Sequence, residues 1–467
     1  MNNKFKLSAL ASAITLTLAA CGGGSGTGDI AGIGGSGYTS TGTVTGFGSV
    51  YVNGVKYETD STEFDVEGIS ATQNELAIGM VVRVEGTVNA DGQTGTASRI
   101  VFDDELQGPV SNLTVDAANP DIKTFDILGI SVKVDRRRTE FDDKDNQGFS
   151  FDNLTDGNTV EVSGFFDANG MLNATYIDRE NSLDDIKLQG KITNLTATTF
   201  EINGQTVNHN TAELDDNLIL VEGLWVKVEG TLDTGILVAS EIEAVNNDSY
   251  DENDEMDIEG FISDFVSNGD FTVNGISVDA SNVTLSDYVT LGNNVWIEVE
   301  GTYANGVLVA DEIELRDGEV EIDAVIDQVN DDGSFSVTVG GQSIEVQIGY
   351  ETKFDFEDGT SELSIGQFVE IDGYQIDANT LFALEVDVED ASGDDNELQG
   401  IYQGTNETQD VIKILNIEFT VNDNTDFGDL NDMTGFLASA VVGETLVKVE
   451  YDIDGVAIQV EIEEEDD

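Results

Sequence analysis

Few side chains here have the types and spacing that chemistry needs. His209 is the only histidine and Cys21 the only cysteine among 467 residues. A nucleophile–histidine pair could form at one place at most, and zinc sites built from histidine and cysteine are excluded by count. Carboxylates are the opposite case. With 93 Asp and Glu against 19 Lys and Arg, many pairs could fall at glycosidase spacing and none is singled out. One acidic stretch has cation-ligand spacing: Asp143-Lys144-Asp145-Asn146-Gln147-Gly148 places oxygen donors at alternate positions before a glycine. Asp143 and Asp145 are therefore the candidate calcium ligands. Leu154 stands at the twelfth position, where glutamate is needed, and Arg136-Arg137-Arg138 precede the stretch, so a plain acidic loop is the favoured reading. Trp225 and Trp296 lie in alternating, strand-like segments. Exposed rings there could stack on carbohydrate, with packing between elements as the favoured alternative. No catalytic residue emerges and no enzyme is expected. No cofactor is expected either, calcium being the one that the sequence allows.

Lys4 and Lys6 precede an apolar run from Leu7 to Leu18, followed by Leu18-Ala19-Ala20-Cys21. A basic start, an apolar run too short for a bilayer and small residues before a cleavage point make a signal peptide. The end of that run resembles the lipobox of bacterial lipoproteins, which implies removal of residues 1–20 and diacylation of Cys21. Gly22 follows the cysteine where an aspartate often means inner-membrane retention. The resemblance thus implies a lipid-anchored outer-membrane protein of a Gram-negative envelope, periplasmic or surface-exposed. Acyl chains contribute ~0.8 kcal/mol per buried methylene, so two or three of them anchor stably. Residues 21–37 complete the leader as the lipidated cysteine and a glycine-serine tether. Its Gly32-Ile33-Gly34-Gly35-Ser36-Gly37 matches a dinucleotide-binding pattern by letter only, without the strand and helix that the mechanism requires.

The formal charge of −74 repels nucleic acid and anionic headgroups, so nucleic acid is not an expected partner. The same surface attracts divalent cations and suits a high-salt habitat. The expected partners are the membrane, through the anchor, and a protein or glycan that the sequence does not specify.

After the tether the chain repeats. Gly223-Leu224-Trp225-Val226-Lys227-Val228-Glu229-Gly230 alternates apolar and charged residues and stops at glycine, as a half-buried strand entering a turn does. Variants end at Gly86, Gly164, Gly301, Gly373 and Tyr451, spaced 66 to 78 residues apart. Six repeats are expected at 38–105, 106–187, 188–250, 257–317, 318–392 and 397–463. Each opens with a strand, often Leu-Gln-Gly as at 188–190, and continues into a hairpin. The turn is Asn53-Gly54, Asn203-Gly204, Asn274-Gly275 or Gly340-Gly341, which favours type I′, while Leu128-Gly129 and Leu415-Asn416 depart from it. A short helical turn, the alternating strand and a last strand with alanine three residues before Ile or Val complete the unit. Offsets of three lie on opposite strand faces, so Ala97 and Ile100, or Ala239 and Ile242, share a face only if a bulge intervenes. Glycine recurs seven residues before the motif's end at Gly79, Gly157, Gly223 and Gly366, while Gly292 in the fourth repeat stands nine before, which reads as an insertion of two.

Five short strands with one helical turn fit a small closed barrel of the OB kind. The expected fold is all-β: a tandem array of about six five-stranded OB-like barrels after a signal peptide and a flexible tether. An immunoglobulin-like sandwich needs about seven strands and more residues. Units of this size bury too little to be stable alone, so packing between successive units, in an extended chain, is the expected supplement.

The combination of Leu188-Gln189-Gly190, Phe200-Glu201-Ile202-Asn203-Gly204, Gly223 through Gly230, and Ala239 to Ile242 resembles the bacterial repeat family known as domain of unknown function five-six-six-six. The resemblance covers nearly everything after residue 38, with departures at Ala324 and Tyr451. It implies tandem domains in an envelope lipoprotein and transfers no catalytic residue. The function expected is a structural, display or binding scaffold, with a calcium-assisted or carbohydrate-binding array as the alternative.

Overall fold

The computed structural model describes residues 37–462 except 91, 118, 143–147, 181–185, 216–217, 246–252, 286–288, 317–319, 331–332, 350–351, 357–361, 390–395, 444 and 453. Cys21, Asp143 and Asp145 lie outside the described residues. The chain divides into two compact units, Gly35–Arg316 and one that contains Asp317–Asp467.

The first repeat shows the plan. Strands Tyr38–Phe47, Val50–Val52 and Val55–Glu58 form an antiparallel meander. Val55–Glu58 then runs parallel to the last strand, Thr94–Phe102, which pairs with the central strand, Val81–Val88, and that strand returns to Tyr38–Phe47. The ring is closed in the order first, second, third, fifth, fourth, first, with one parallel pair, which is the OB arrangement. Alternate residues such as Val44, Val50, Val52, Tyr57, Val82, Val84 and Ile100 fill it. The same ring recurs with central and last strands at Thr159–Phe166 and Leu172–Glu180, Trp225–Asp233 and Ile236–Ala244, Trp296–Ala304 and Val307–Leu315, Phe368–Asp377 and Thr380–Glu389, and Leu446–Tyr451 and Ala457–Ile462. In the third and sixth rings single bridges, Thr193 to Glu201 and Thr420 to Val456, complete the circle. The short segment before the central strand is a 3-10 turn at Gln73–Glu75 and Phe151–Asn153 and an α-helix at Met433–Ser439.

The terminal glycine of the motif marks a bulge. In every ring the pairing shifts there, as between Glu229 and Gly230, where Gly230 faces Ala239 and Ser240 is the extra residue. The extra residue turns Ala239 and Ile242 to one face, and both are fully buried. A Cβ on Gly230 would stand closer than 3.0 Å to the carbonyl oxygen of Val238, so the position admits only glycine without movement. A threonine secures the bulge: Thr62, Thr139, Thr352 and Thr425 donate hydroxyls to the carbonyls of Ala97, Ala174, Ala383 and Ala457 at 2.7–2.8 Å.

Two expectations need correction. The fourth repeat has no insertion: Asn294, seven before Gly301, takes the left-handed conformation (φ 69°) and donates its N–H to Ile262, as Gly223 (φ 82°) does to Ile192. Leu128-Gly129 and Leu415-Asn416 make the same left-handed turn as Asn53-Gly54, because junction packing holds Leu415 buried and Leu128 against the core.

The packing of repeats also differs from a linear stack. The second and third share one core, and so do the fifth and sixth. The first and fourth, not neighbours in sequence, join by a parallel pairing of opening strands, Tyr38–Thr41 with Glu255–Ile258.

Candidate functional site

Ionisable side chains gather where opening strands of different repeats meet. At the junction of the first three repeats the connector Asp103-Asp104-Glu105 links strand Thr94–Phe102 to strand Leu106–Val115. Facing it are Lys187 on strand Ile186–Lys191 and Lys227 on the central strand of the third repeat. Gln107 pairs with Lys187 across the junction, which points that lysine into the connector. Its amine contacts Glu67 and Asp104 and lies 3.3 Å from Asp103, while Lys227 contacts Asp103. Glu67 is tied down separately, since its Oε1 accepts the backbone N–H of Asp104 at 3.1 Å. Asp104 is wholly buried, and its Oδ2 has no hydrogen-bond partner.

Burial governs the protonation of this group. It pushes the Lys187 amine down to about 7, assisted by Lys227, and raises the Asp104 carboxyl well above the usual carboxylate range, assisted by Glu161. Glu105, half-buried and accepting the N–H of Gly164 at 3.0 Å, is pushed up to about 8 by loss of solvation. Burial opposes the charge on Lys227, but Asp103 and Asp104 outweigh it and hold its pKa above the ordinary value. Glu67, Asp103 and Asp104 bring three carboxylate oxygens within 4.8 Å of one another. The Lys187 nitrogen stands among them, so the group does not fit a resident divalent cation.

The first and fourth repeats meet around a second buried acid. Asp257 accepts hydrogen bonds from Ser40 at 3.0 Å, Asn53 at 2.9 Å and Tyr38 at 3.5 Å, and burial pushes it up to about 8. Ser40 stands where the other opening strands carry Leu or Ile, so the polar residue in an apolar column was the available sequence signal. At the junction of the fifth and sixth repeats, Lys448 contacts Glu397 and lies 3.4 Å from Glu321. Burial opposes its charge, but the two glutamates raise its pKa above the ordinary lysine value. The Thr-x-Phe recurrences at Thr62, Thr139, Thr352 and Thr425 also escaped the sequence reading, although they are visible once the bulge is known.

The aromatic candidates are placed between repeats. Trp225 is half-buried, 5.6 Å from the Phe166 ring of the second repeat, with Lys191 over its face at 5.7 Å. Trp296, also half-buried, stacks on Phe261 at 5.4 Å and approaches Phe165 of the second repeat at 5.9 Å. The two rings are not brought together as one platform. His209 stacks on Phe200 at 5.6 Å, and its Nε2 is 3.4 Å from the carbonyl oxygen of Thr196. Among the described residues, no helix is long and apolar enough to cross a membrane.

The profile of the domain of unknown function DUF5666 matches residues 41–101, 107–178, 189–243, 259–314 and 323–387. The chain belongs to the DUF5666 family. The five DUF5666 matches coincide with the first five rings, and the sixth ring, which carries Tyr451 in place of the bulge glycine, lies beyond them. No curated protein matches the chain. A solved chain described as Drosophila Unr CSD456 aligns over 62% of this DUF5666 protein and 99% of its own length at 13% identity, with a TM-score of 0.12. That likeness carries no argument.

Proposed function

We propose that this DUF5666 protein is a lipid-anchored scaffold of a Gram-negative cell envelope, held at the outer membrane through Cys21 and acting by display or binding. The observation that carries the reading is the use made of the repeat motif. Its glycines, alanines and threonines build the bulge and barrel, and its charged positions build the junctions between barrels. What recurs is thus a scaffold, and a partner would meet the acidic loops that differ between copies. The net charge of −74 supports a hydrated, soluble array rather than one that lies on anionic lipid. Metabolic labelling with a palmitate analogue tests the anchor. Label is expected in the outer-membrane fraction for the wild-type chain and absent for Cys21→Ser, and labelling that persists in the variant overturns it.

A further inference from the structure

Lys187 and Asp104 raise a question that a salt bridge does not answer. A lysine with 8% of its side chain exposed is held against a carboxyl with 0% exposed, 83 residues apart in sequence. Lys187 reaches it from the third repeat, and Asp104 lies between the first and second. A third group touches both partners: one oxygen of Glu67 contacts the Lys187 amine and the other accepts the Asp104 N–H at 3.1 Å. Asp104 Oδ1 contacts the amine, and its Oδ2 has no partner. We propose that this is a site of intramolecular amide formation, in which the Lys187 amine and the Asp104 carboxyl condense to an isopeptide bond with Glu67 as the proton relay.

The step balances without any co-reactant. The neutral Lys187 nitrogen attacks Cγ of the protonated Asp104 carboxyl, forming the N–C bond. Glu67 takes one proton from that nitrogen and delivers it to the hydroxyl that leaves. Water departs, the carbonyl reforms, and Glu67 ends as the carboxylate it began as. Burial supplies the protonation states required, because it favours the uncharged amine and the uncharged acid together. A dry site also disfavours the reverse hydrolysis. The bond would tie the third repeat to the connector between the first two, in a chain whose single cysteine forms no internal disulfide. Lys448 provides a built-in control. It is 27% exposed, its glutamate partners are 16% and 22% exposed, and it remains an ordinary ion pair.

The test is mass spectrometry of the full chain, purified in detergent, denatured and digested with trypsin. The expected product is a branched peptide joining residues 100–123 to 180–191, lighter than the two together by one water, with fragment ions placing the branch on Asp104 and Lys187. Cleavage after Lys448 proceeds normally. Lys187→Arg, which keeps a cation, and Glu67→Gln, which keeps both reacting groups, are each expected to abolish the branched peptide. Full recovery of linear 100–123 and 180–187 from the wild-type chain overturns the proposal whether or not either variant folds. Undiminished branching in Glu67→Gln overturns the relay.

Discussion

The junction of the second and third repeats and that of the fifth and sixth share one register but house their charges differently. In the first, Gln107 faces Lys187; in the second, Asp323 faces Glu397. Counted from Gly108 or Ala324 on one side and from Gly190 or Gly400 on the other, these are the same positions. Lys227 and Lys448 are also equivalent, one residue into the central strand's Val-Lys-Val-Glu. Yet Lys227 is buried against Asp103, whereas Lys448 keeps 27% of its side chain in water. The first junction receives a connector and Glu67 from another repeat, and these close it off from solvent. Burial therefore decides which lysine is energetically important, and the strand pattern does not.

The largest expected effect follows directly. Lys227→Met removes the buried cation that Asp103 contacts, at a cost of up to about 3–5 kcal/mol. Lys448→Met removes a partly solvated pair and should cost about 1 kcal/mol or less. Hydrogen exchange of strands Trp225–Asp233 and Leu446–Tyr451 reads each loss locally. Equal losses would break the comparison. Because the two compact units need not unfold together, a single melting temperature is a poorer measure.

Acidity should separate the two units next. Burial pushes Glu105, Glu161 and Asp257 up to about 8 within Gly35–Arg316, and within the other unit it pushes Asp323, beside Glu370, to the same value. Unfolded carboxylates ionise near pH ~4, so between pH ~4 and ~8 the folded chain binds the extra protons. Stability then falls as pH rises, by up to ~1.4 kcal/mol per unit for each such group, and below pH ~4 the dependence ends. The expected result is stronger exchange protection at pH 5.5 than at pH 8.5, with the steeper change in Gly35–Arg316. Greater protection at pH 8.5 would contradict it.

A third, smaller effect concerns the bulge. Gly230→Ala and Gly373→Ala each force a Cβ against a carbonyl oxygen, that of Val238 or Phe382, and overpacking of this kind costs about 1–3 kcal/mol. The sixth ring carries Tyr451 there, buried with its ring 4.9 Å from Phe419. Tyr451→Gly should therefore destabilise its own ring instead of repairing it, as local hydrogen exchange of the central strand in each of the three variants would show.

Much of the ring was legible because its signals are local. Alternation around Val226 and Val228 gives a strand, Asn53-Gly54 gives a left-handed turn, and the offset of three between Ala239 and Ile242 demands a bulge. The pairing of repeats was not legible. Ser40 and Asp257 are 217 residues apart, and only the parallel pairing of two opening strands brings them together. Lys187 likewise reads as one more exposed charge on a strand until Glu67 and the connector are seen to cover it. Sequence spacing fixes which face a side chain takes, while burial of that face depends on a partner repeat.

The smallest effect sharpens the comparison by being equal on both sides. Thr139 and Thr352 occupy the same place in the second and fifth rings, each donating to an alanine carbonyl at 2.7 Å. Each hydroxyl also accepts a backbone N–H, from Asp135 at 3.2 Å and from Gly349 at 2.9 Å. Valine keeps the shape and removes both bonds, so Thr139→Val and Thr352→Val should each cost about 1–2 kcal/mol. The device is internal to a ring, so local exchange at strands Leu172–Glu180 and Thr380–Glu389 should weaken alike. A markedly greater loss for Thr139→Val would mean that the bulge transmits to the buried junction beside it, and the two junctions would then differ in more than the burial of their charges.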